Sequence, residues 1–477
     1  MSIVQEGRIC LRNIASQNQR LRALISLRSE ETVLAELSAL SNDTDGELRG
    51  KTVVLKDNIC TVWGKTSCAS RMLEDYQSPY NATIVDKIAE NKGVFLGKAN
   101  MDEFAMGTDN IHTIYGPPLN PLFKAEHSTG GSSGGSASAV ASHMCDISLG
   151  TDTGGSVRLP AAYCGVIGFK PSYGLISRWG VVAFAQSLDT VGIIARKIED
   201  VRKMFKVLNS HDDKDPTSIS NSLRSRINTR NNDLQPRGRP LRIGIPREFN
   251  VDSLSAVVKQ AWKSTLVDLR DAGHELYTVS MPSIANALPT YYILAPAEAA
   301  SNLARYDGIR FGFRSEIDGD EHVLYGRTRS EGFGTEVRRR ILLGNYNLSS
   351  GAMTNHYIQA QRVRRKVQMD FDRVFATKNP LSTTPTPTHD EHTVDFLVTP
   401  CSTDTAPSLE DIYAQKSPLD AYVNDILTVP ASLAGIPAIS VPRAAPDGRT
   451  VGIQVMGQYG DDDRVLQIAQ EIMGFNI

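Results

Sequence analysis

Two glycine-flanked serine clusters carry the side chains of this chain that are best suited to covalent chemistry. Residues 129–142 read TGGSSGGSASAVAS, and residues 151–160 read TDTGGSVRLP. A serine hydroxyl becomes an effective nucleophile only when a base within hydrogen-bond reach activates it. Helix- and strand-forming sequence follows each cluster directly, which is not the context of an ordinary linker.

Three ordinary interpretations of the clusters fit poorly. A glycine-rich loop before a helix can cradle phosphate, but a P-loop ends in G-K-[ST], which neither cluster contains. GGSSGG matches the GxSxG nucleophile elbow twice, centred on Ser132 and on Ser133, yet the preceding NPLFKAEHST is a poor strand and no downstream His stands in a recognisable triad context. A flexible Gly/Ser linker is the third, and the helix and strand that follow without a break count against it.

Helices and strands alternate along the chain, and the strands are short and apolar enough to be fully buried. KTVVLKDNI (51–59) predicts a buried strand with Lys56 at its C-terminal end. SASAVASHM predicts a helix of small residues, and CDISLGTDTGG predicts a strand that feeds the second serine cluster. These patterns predict an α/β fold with a largely parallel or mixed sheet.

The second half continues the same pattern between two polar stretches. LRIGIPREF (241–249) predicts a strand, and residues 254–273 predict an amphipathic helix. Residues near 208–238 and near 380–393 are rich in polar residues and proline, and they predict surface insertions. We therefore expect one large domain over residues 1–477, with these polar insertions in its surface loops.

Composition narrows the class of function. The 477 residues are 41% hydrophobic and 22% charged, with 51 basic and 53 acidic side chains and a net charge of −2. That balance argues against a surface dedicated to nucleic acid, although a partner could supply the basic face in a complex with RNA. No apolar run reaches the roughly 18 residues that a membrane span needs.

The cysteines and histidines do not predict a metal site. His389 and His392 in PTHDEHT have no third ligand at suitable spacing, and a solvated loop is the better interpretation. The cysteines show no CxxC pair and are expected to be free, mostly buried thiols in a reducing compartment; they are Cys10, Cys60, Cys68, Cys145, Cys164 and Cys401.

Taken in order, the strand-end lysine, GGSSGGS and TDTGGSVRLPAAYCGVIGFKPSYG resemble the amidase signature family. The similar block runs from Lys56 to Gly174, and weaker similarity continues nearly to the C-terminus. The resemblance implies the fold of that family, a single large mixed β-sheet covered by helices on both faces.

The resemblance also implies three catalytic roles. Ser156 matches the acyl-ester nucleophile, Ser132 matches the bridging serine that is usually held by a cis peptide, and Lys56 matches the base. A lysine acts as a base only when neutral, so its pKa has to fall by about three units from ~10.4. Burial beside neutral hydroxyls lowers the pKa in this way, because desolvation penalises the ammonium form.

The glycines of the second cluster suit an oxyanion hole. Without side chains to crowd the approach, the backbone N–H groups of Thr153, Gly154 and Gly155 can converge on a developing negative charge. The charged residues of the same block are interpreted as scaffold; they are Asp152, Arg158 and Lys170.

Several further stretches resemble one branch of the family, the A subunits of glutamyl-tRNA(Gln) amidotransferases. This similarity implies free glutamine as substrate and release of its ammonia to a partner that amidates Glu-tRNA(Gln). The implied partners are a B subunit, which uses ATP and Mg, together with a small third subunit; no cofactor is implied in this chain. The stretches are NMDEFAMGTDN (100–110), YYILAPAEAASNLARYDGIRFG (291–312), TRSEGFGTEVRRRILLG (328–344) and YVNDILTVPASLAGIPAISVP (422–442).

A glutamine pocket needs a cation for the α-carboxylate and an anion for the α-ammonium group. The resemblance assigns these roles to Arg340, whose guanidinium pairs with carboxylates as a fork, and to Asp425, with Tyr291 closing the site. Arg338 and Arg339 precede Arg340 directly, so a helix-surface charge is the competing interpretation of this arginine.

The N-terminus is open to two interpretations. Residues 1–28 contain five arginines and one acid, which is typical of a mitochondrial transit peptide or of an arginine-rich surface helix. Because NQRLRALISL resembles the start of the family's domain, any targeting segment is expected within residues 1–20. The resemblance favours a mitochondrial matrix protein of fungal type; a bacterial chain would be cytoplasmic.

Two other functions compete with this prediction. A stand-alone amidase acting on another small-molecule or lipid amide would hydrolyse its substrate without partners. A catalytically silent scaffold or RNA-binding subunit would not need Lys56, Ser132 and Ser156 intact. Ammonia release from glutamine, with and without a copurified partner, distinguishes the three.

Overall fold

The elements of the fold follow the alternation seen in the sequence. The computed structural model describes residues 2–234, 240–317, 324–382, 393–414, 422–445 and 448–475. The strands are β1 Leu24–Leu27, β2 Thr52–Lys56, β3 Val94–Ala99, β4 Ile147–Asp152, β5 Ile167–Lys170, β6 Thr190–Ala195, β7 Arg242–Pro246, β8 Glu275–Val279, β9 Phe396–Pro400, β10 Ala438–Ala444 and β11 Thr450–Met456. The helices are α1 Ile3–Leu21, α2 Glu30–Ala39, α3 Thr83–Glu90, α4 Gly134–Ala141, α5 Arg158–Cys164, α6 Ile198–Leu208, α7 Asn221–Asp233, α8 Ala256–Asp271, α9 Ala287–Asn302, α10 Gly326–Gly332, α11 Thr335–Leu348, α12 Tyr357–Val374, α13 Leu409–Ala414, α14 Val429–Ala434 and α15 Asp462–Gly474.

The strands form one mixed sheet of eleven strands in the order β1-β3-β2-β4-β6-β5-β10-β11-β9-β7-β8. Strand β2 runs parallel to both of its neighbours, β3 and β4. Strand β4 is antiparallel to β6, and β10 is antiparallel to both β5 and β11. The α/β class and the mixed sheet predicted from the sequence are confirmed.

Helices cover both faces of the sheet because successive side chains of a strand point to opposite sides. Val53 and Leu55 of β2 pack into one buried cluster with Ile88 of α3. Val54, which lies between them, packs into a second cluster with Val140 of α4. An all-apolar strand such as β2 is therefore buried from both sides.

Helix α4, which follows the first serine cluster, is built of small residues because it lies against neighbouring backbone. A Cβ atom on Gly135 would lie 2.4 Å from the carbonyl oxygen of Asn100. Its buried hydroxyls are satisfied by carbonyls, with Ser136 donating to Leu149 and Ser138 donating to Leu119. Close packing at this point brings the first turn of α4 against Asn100, directly after β3.

The two polar stretches fall differently in the structure. Residues 208–234 include helix α7, which is largely exposed and buries Ile227. Within the second stretch, residues 383–392 lie outside the described residues, and His389 and His392 with them. The strand expected at 241–249 and the helix expected at 254–273 are present as β7 and α8.

The first helix opens with a capping box in which Ser2 and Gln5 bond reciprocally. It buries Cys10 and Ile14 against α2 in the second cluster. Residues 1–20, within which a targeting segment is expected, overlap this helix. All six cysteines are free and buried, as predicted, and no described helix has the length and apolarity required to cross a membrane.

Candidate active site

The amine of Lys56 lies at the centre of a cluster of hydroxyls. Strand β2 ends at Lys56, and its Nζ donates hydrogen bonds to Ser132 Oγ at 2.7 Å and to Ser133 Oγ at 2.9 Å. A longer bond of 3.4 Å reaches the carbonyl oxygen of Thr151. Lys56, Ser132 and Ser133 are fully buried. Ser133 was missed in the sequence as a partner of the amine, although its place beside Ser132 in GGSSGG was the available signal.

Ser156 joins this cluster through the backbone. The N–H of Ser133 donates to the carbonyl oxygen of Ser156 at 3.1 Å, which fixes the two serine clusters side by side. The peptide bond between Gly131 and Ser132 is cis. Among the described residues no hydrogen bond links the hydroxyls of Ser132 and Ser156. Ser156 retains 8% exposure, whereas Ser132 and Ser133 retain none.

Burial sets the ionisation of the lysine. Desolvation lowers the pKa of Lys56 from 10.5 to about 7, against the opposing negative charges of Asp102, Asp152 and Asp189. No described carboxylate forms an ion pair with the amine. A large part of the Lys56 population is therefore neutral near pH 7, and a neutral amine can accept a proton from a hydroxyl.

The loop from Thr153 to Ser156 is held from both sides. Thr153 Oγ1 donates to Asp189 Oδ1 at 2.6 Å, and Thr428 Oγ1 donates to the carbonyl oxygen of Gly154 at 2.6 Å. Gly155 has a φ of +149°, and a Cβ there would lie 2.2 Å from Thr428 Oγ1. Only glycine fits at this position.

The predicted scaffold residues form a buried network beneath this loop. Arg158 pairs with both oxygens of Asp152, at 2.9 and 3.0 Å. The same guanidinium donates to the carbonyl oxygen of Thr428 and to Gln454 Oε1. Lys170 donates instead to backbone carbonyls, at 3.0 and 2.6 Å. These contacts tie the second serine cluster to β11 and to the segment before α14.

Arg340 is the buried member of its arginine run. Its side chain is 3% exposed and its Nε donates to Glu336 Oε1 at 2.8 Å, whereas Arg338 is exposed. The guanidinium lies 5.5 Å from the ring centres of both Tyr292 and Tyr422. The helix-surface interpretation of Arg340 is therefore wrong. Glu336 was missed in the sequence, although it precedes Arg340 by one helical turn.

Asp425 and Tyr291 adjoin the same region. Tyr292 Oη donates to Asp425 Oδ2 at 2.9 Å, and burial raises the pKa of the Asp425 carboxyl to about 7. The ring of Tyr291 lies against the loop from Thr153 to Ser156, since a Cβ on Gly154 would lie 2.7 Å from its Cζ. Thr428 bonds to Gly154 and to the carbonyl oxygen of Asp425. Contacts through Thr428, Asp425 and Tyr292 thus connect the loop of Ser156 to Arg340.

The described residues contain no group of three or more His, Cys, Asp or Glu side chains that could hold a metal ion. The arrangement instead offers a buried amine with a lowered pKa and the serine hydroxyls beside it. This set can perform acyl transfer on a carbonyl substrate.

Comparison with known proteins places the chain in a family. The sequence profile described as Amidase matches residues 8–466. The chain is 48% identical to the A subunit of the mitochondrial glutamyl-tRNA(Gln) amidotransferase of Tuber melanosporum, over 95% of this chain and 92% of that protein. It is 47% identical to the protein of the same name from Yarrowia lipolytica, over 97% and 98% of the two chains.

A solved structure agrees with these sequence relatives. The crystal structure of the A subunit of glutamyl-tRNA(Gln) amidotransferase from Thermotoga maritima matches with a TM-score of 0.77 at 34% identity, covering 98% of this chain and 91% of that one. The chain belongs to the amidase family, and the resemblance of its signature block to that family is confirmed.

Replacement of the buried amine is expected to stabilise the protein. Lys56→Met removes a desolvated amine and should raise the free energy of unfolding by about 1–2 kcal/mol at neutral pH. The lysine pKa is about 7 when folded and 10.5 ordinarily, so the unfolded chain binds more protons between these values and wild-type stability rises with pH. The advantage of Lys56→Met should therefore be largest below pH 7 and shrink towards pH 10.5.

Denaturant unfolding at about pH 6 and about pH 9 measures this difference. Lys65→Met, which removes an exposed lysine, is the control and should show no comparable pH dependence. A Lys56→Met variant that is less stable than wild type at both pH values would contradict the account.

Proposed function

We propose that this chain is the glutamine-hydrolysing A subunit of a glutamyl-tRNA(Gln) amidotransferase. The observation that carries the proposal is the hydrogen bond from the buried amine of Lys56 to the hydroxyl of Ser132. The next residue, Ser133, donates its N–H to the carbonyl oxygen of Ser156, so the two serine clusters lie side by side. The relatives, which are themselves named as A subunits and match nearly the whole chain, support the choice of this branch of the family over a stand-alone amidase.

The first half of the reaction forms a tetrahedral adduct between Ser156 and glutamine. Neutral Lys56 takes the proton of Ser132, which takes the proton of Ser156, and Ser156 Oγ bonds to the side-chain carbonyl carbon of glutamine. A rotation of the Ser156 side chain brings its hydroxyl to Ser132, since catalytic hydrogen bonds often close only with substrate bound. The oxyanion is received by the backbone N–H groups of the loop from Thr153 to Ser156.

The second half returns the enzyme to its starting state. The carbon–nitrogen bond breaks, the relay delivers its proton to the nitrogen, and ammonia leaves a glutamyl ester on Ser156. Water then attacks the ester carbonyl and gives a proton to the relay. Glutamate is released as Ser156 Oγ recovers its proton, so the two steps together hydrolyse one amide.

The pocket beside the loop discriminates an amino acid from a simple amide. Arg340 is assigned to the α-carboxylate and Asp425 to the α-ammonium group, with Tyr291 covering the bound side chain. The pKa of Asp425 is raised to about 7 by burial, and a bound ammonium group favours its anionic form. Aromatic rings around Arg340 keep its charge out of water and strengthen the pairing.

The remaining steps belong to partners. Ammonia passes to a B subunit, assembled with a small third subunit, which uses ATP and Mg to amidate Glu-tRNA(Gln). The composition of this chain is near-neutral and does not favour direct binding of the tRNA. Contact with the tRNA is therefore assigned mainly to the partner. The mitochondrial names of the relatives support a location in the mitochondrial matrix.

Ser156→Ala separates glutamine use from amidation. In the assembled complex it should abolish glutamine-dependent formation of Gln-tRNA(Gln), because the ester cannot form, and leave ammonia-dependent formation within about twofold of wild type. Activity of both kinds is measured on the same preparation. Glutamine-dependent activity that persists in the variant would contradict the assignment of the nucleophile.

Arg340→Lys tests the pocket while keeping the charge beside Glu336. Lysine lacks the planar fork that pairs with a carboxylate, so KM for glutamine should rise by about tenfold or more with little change in kcat. Arg338→Lys makes the same replacement at an exposed position of the same helix and is the control. An equal rise in KM for both variants would contradict the assignment of Arg340 to the substrate carboxylate.

A further inference from the structure

Two adjacent acidic residues, Asp102 and Glu103, follow strand β3 and are both buried. Neither is part of the mechanism described above. Their carboxylates diverge, one towards Ser132 and the other towards the helix that carries Arg340. The pair therefore lies between the two halves of the site.

Asp102 packs against the peptide that carries Ser132. Its N–H donates to the carbonyl oxygen of Ser132 at 3.2 Å. Its carboxylate accepts the N–H groups of Asn110 at 3.0 Å and His112 at 3.1 Å. A Cβ on Gly131 would lie 2.1 Å from Asp102 Oδ2, so the carboxylate lies directly against the Gly131–Ser132 peptide.

The loop that Asp102 holds then holds the serine cluster in turn. The N–H of Gly131 donates to the carbonyl oxygen of Thr108 at 2.6 Å. The N–H of Gly134 donates to Asn110 Oδ1 at 2.9 Å. Ser132 is thus fixed on both sides by contacts that depend on a single carboxylate accepting two backbone N–H groups.

Glu103 acts on the other half of the site. Its carboxylate accepts the N–H of Gly334 at 2.8 and 3.1 Å and the hydroxyl of Ser70 at 2.5 Å. Gly334 is the N-cap of helix Thr335–Leu348. A carboxylate at this end satisfies a free N–H group and interacts favourably with the helix dipole. Arg340 lies six residues further along, so this anchor fixes the start of the helix that carries it.

We propose that Asp102 and Glu103 are positioning residues with separate tasks: Asp102 places the relay hydroxyl of Ser132, and Glu103 places Arg340 for the substrate carboxylate. The proposal rests on the proposed function. It follows that damage to Asp102 weakens the chemical step, and damage to Glu103 weakens substrate binding.

The assembled amidotransferase is assayed for glutamine hydrolysis as wild type, Asp102→Asn and Glu103→Gln. Each substitution replaces one carboxylate oxygen with an NH2 group, which cannot accept a hydrogen bond from a backbone N–H group. Asp102→Asn should lower kcat by about tenfold to a hundredfold with KM within about twofold of wild type. Glu103→Gln should raise KM by about tenfold with kcat within about twofold of wild type.

Asp462→Asn is the matched control. Asp462 is a buried carboxylate that accepts the N–H and hydroxyl of Ser172, away from the serine clusters, and its replacement should change neither constant by more than about twofold. Thermal unfolding gives the folded fraction of each variant. Dividing the rate of glutamine hydrolysis by this fraction removes any loss of activity that is due to lower stability alone.

The outcomes are distinct. A wild-type complex that does not hydrolyse glutamine would overturn the proposed function. If the wild type is active but both acidic variants change kcat and KM together, the positioning roles alone would be overturned. The same conclusion would follow if neither variant changed either constant.

Discussion

The pair of hydrogen bonds from the Lys56 amine to two serine hydroxyls is the interaction on which this site depends. Removal from water shifts the lysine pKa by an amount worth on the order of 5 kcal/mol. A carboxylate in direct contact would hold the amine as a cation instead. The nearby Asp152 is occupied by Arg158, and Asp102 is occupied by backbone N–H groups. Neutral oxygens are left as the partners of the amine.

The fold brings these groups together through three neighbouring parallel strands. Strands β3, β2 and β4 lie side by side, so their carboxyl ends meet at one edge of the sheet. Lys56 ends β2, Asp152 ends β4, and Asp102 follows the end of β3. Ligand and catalytic sites of α/β sheets commonly form at this edge. Each serine cluster leads from this edge into a short buried helix, α4 or α5.

Local patterns in the sequence were sufficient for the strand that ends at Lys56 and for the small-residue helix after GGSSGG, since both follow from periodicity and residue size. The serine and lysine positions came from the resemblance to a family. Contacts between distant segments could not be read in the same way. The bonds of Thr428 to Gly154 and of Glu103 to Gly334 join residues more than two hundred positions apart. The burial of Arg340 rather than Arg338 depends on which face of the helix packs against neighbouring elements. Only the structure shows which face this is.

The most direct test of the mechanism is the ionisation of Lys56 itself. NMR titration of protein labelled at the lysine ε-carbon, with Lys56→Met to assign the signal, reports the proton on this amine. We expect a pKa of about 7, well below the ordinary 10.5. A signal that titrates near 10.5 would mean that the amine is a cation at neutral pH, and the mechanism built on it would be wrong.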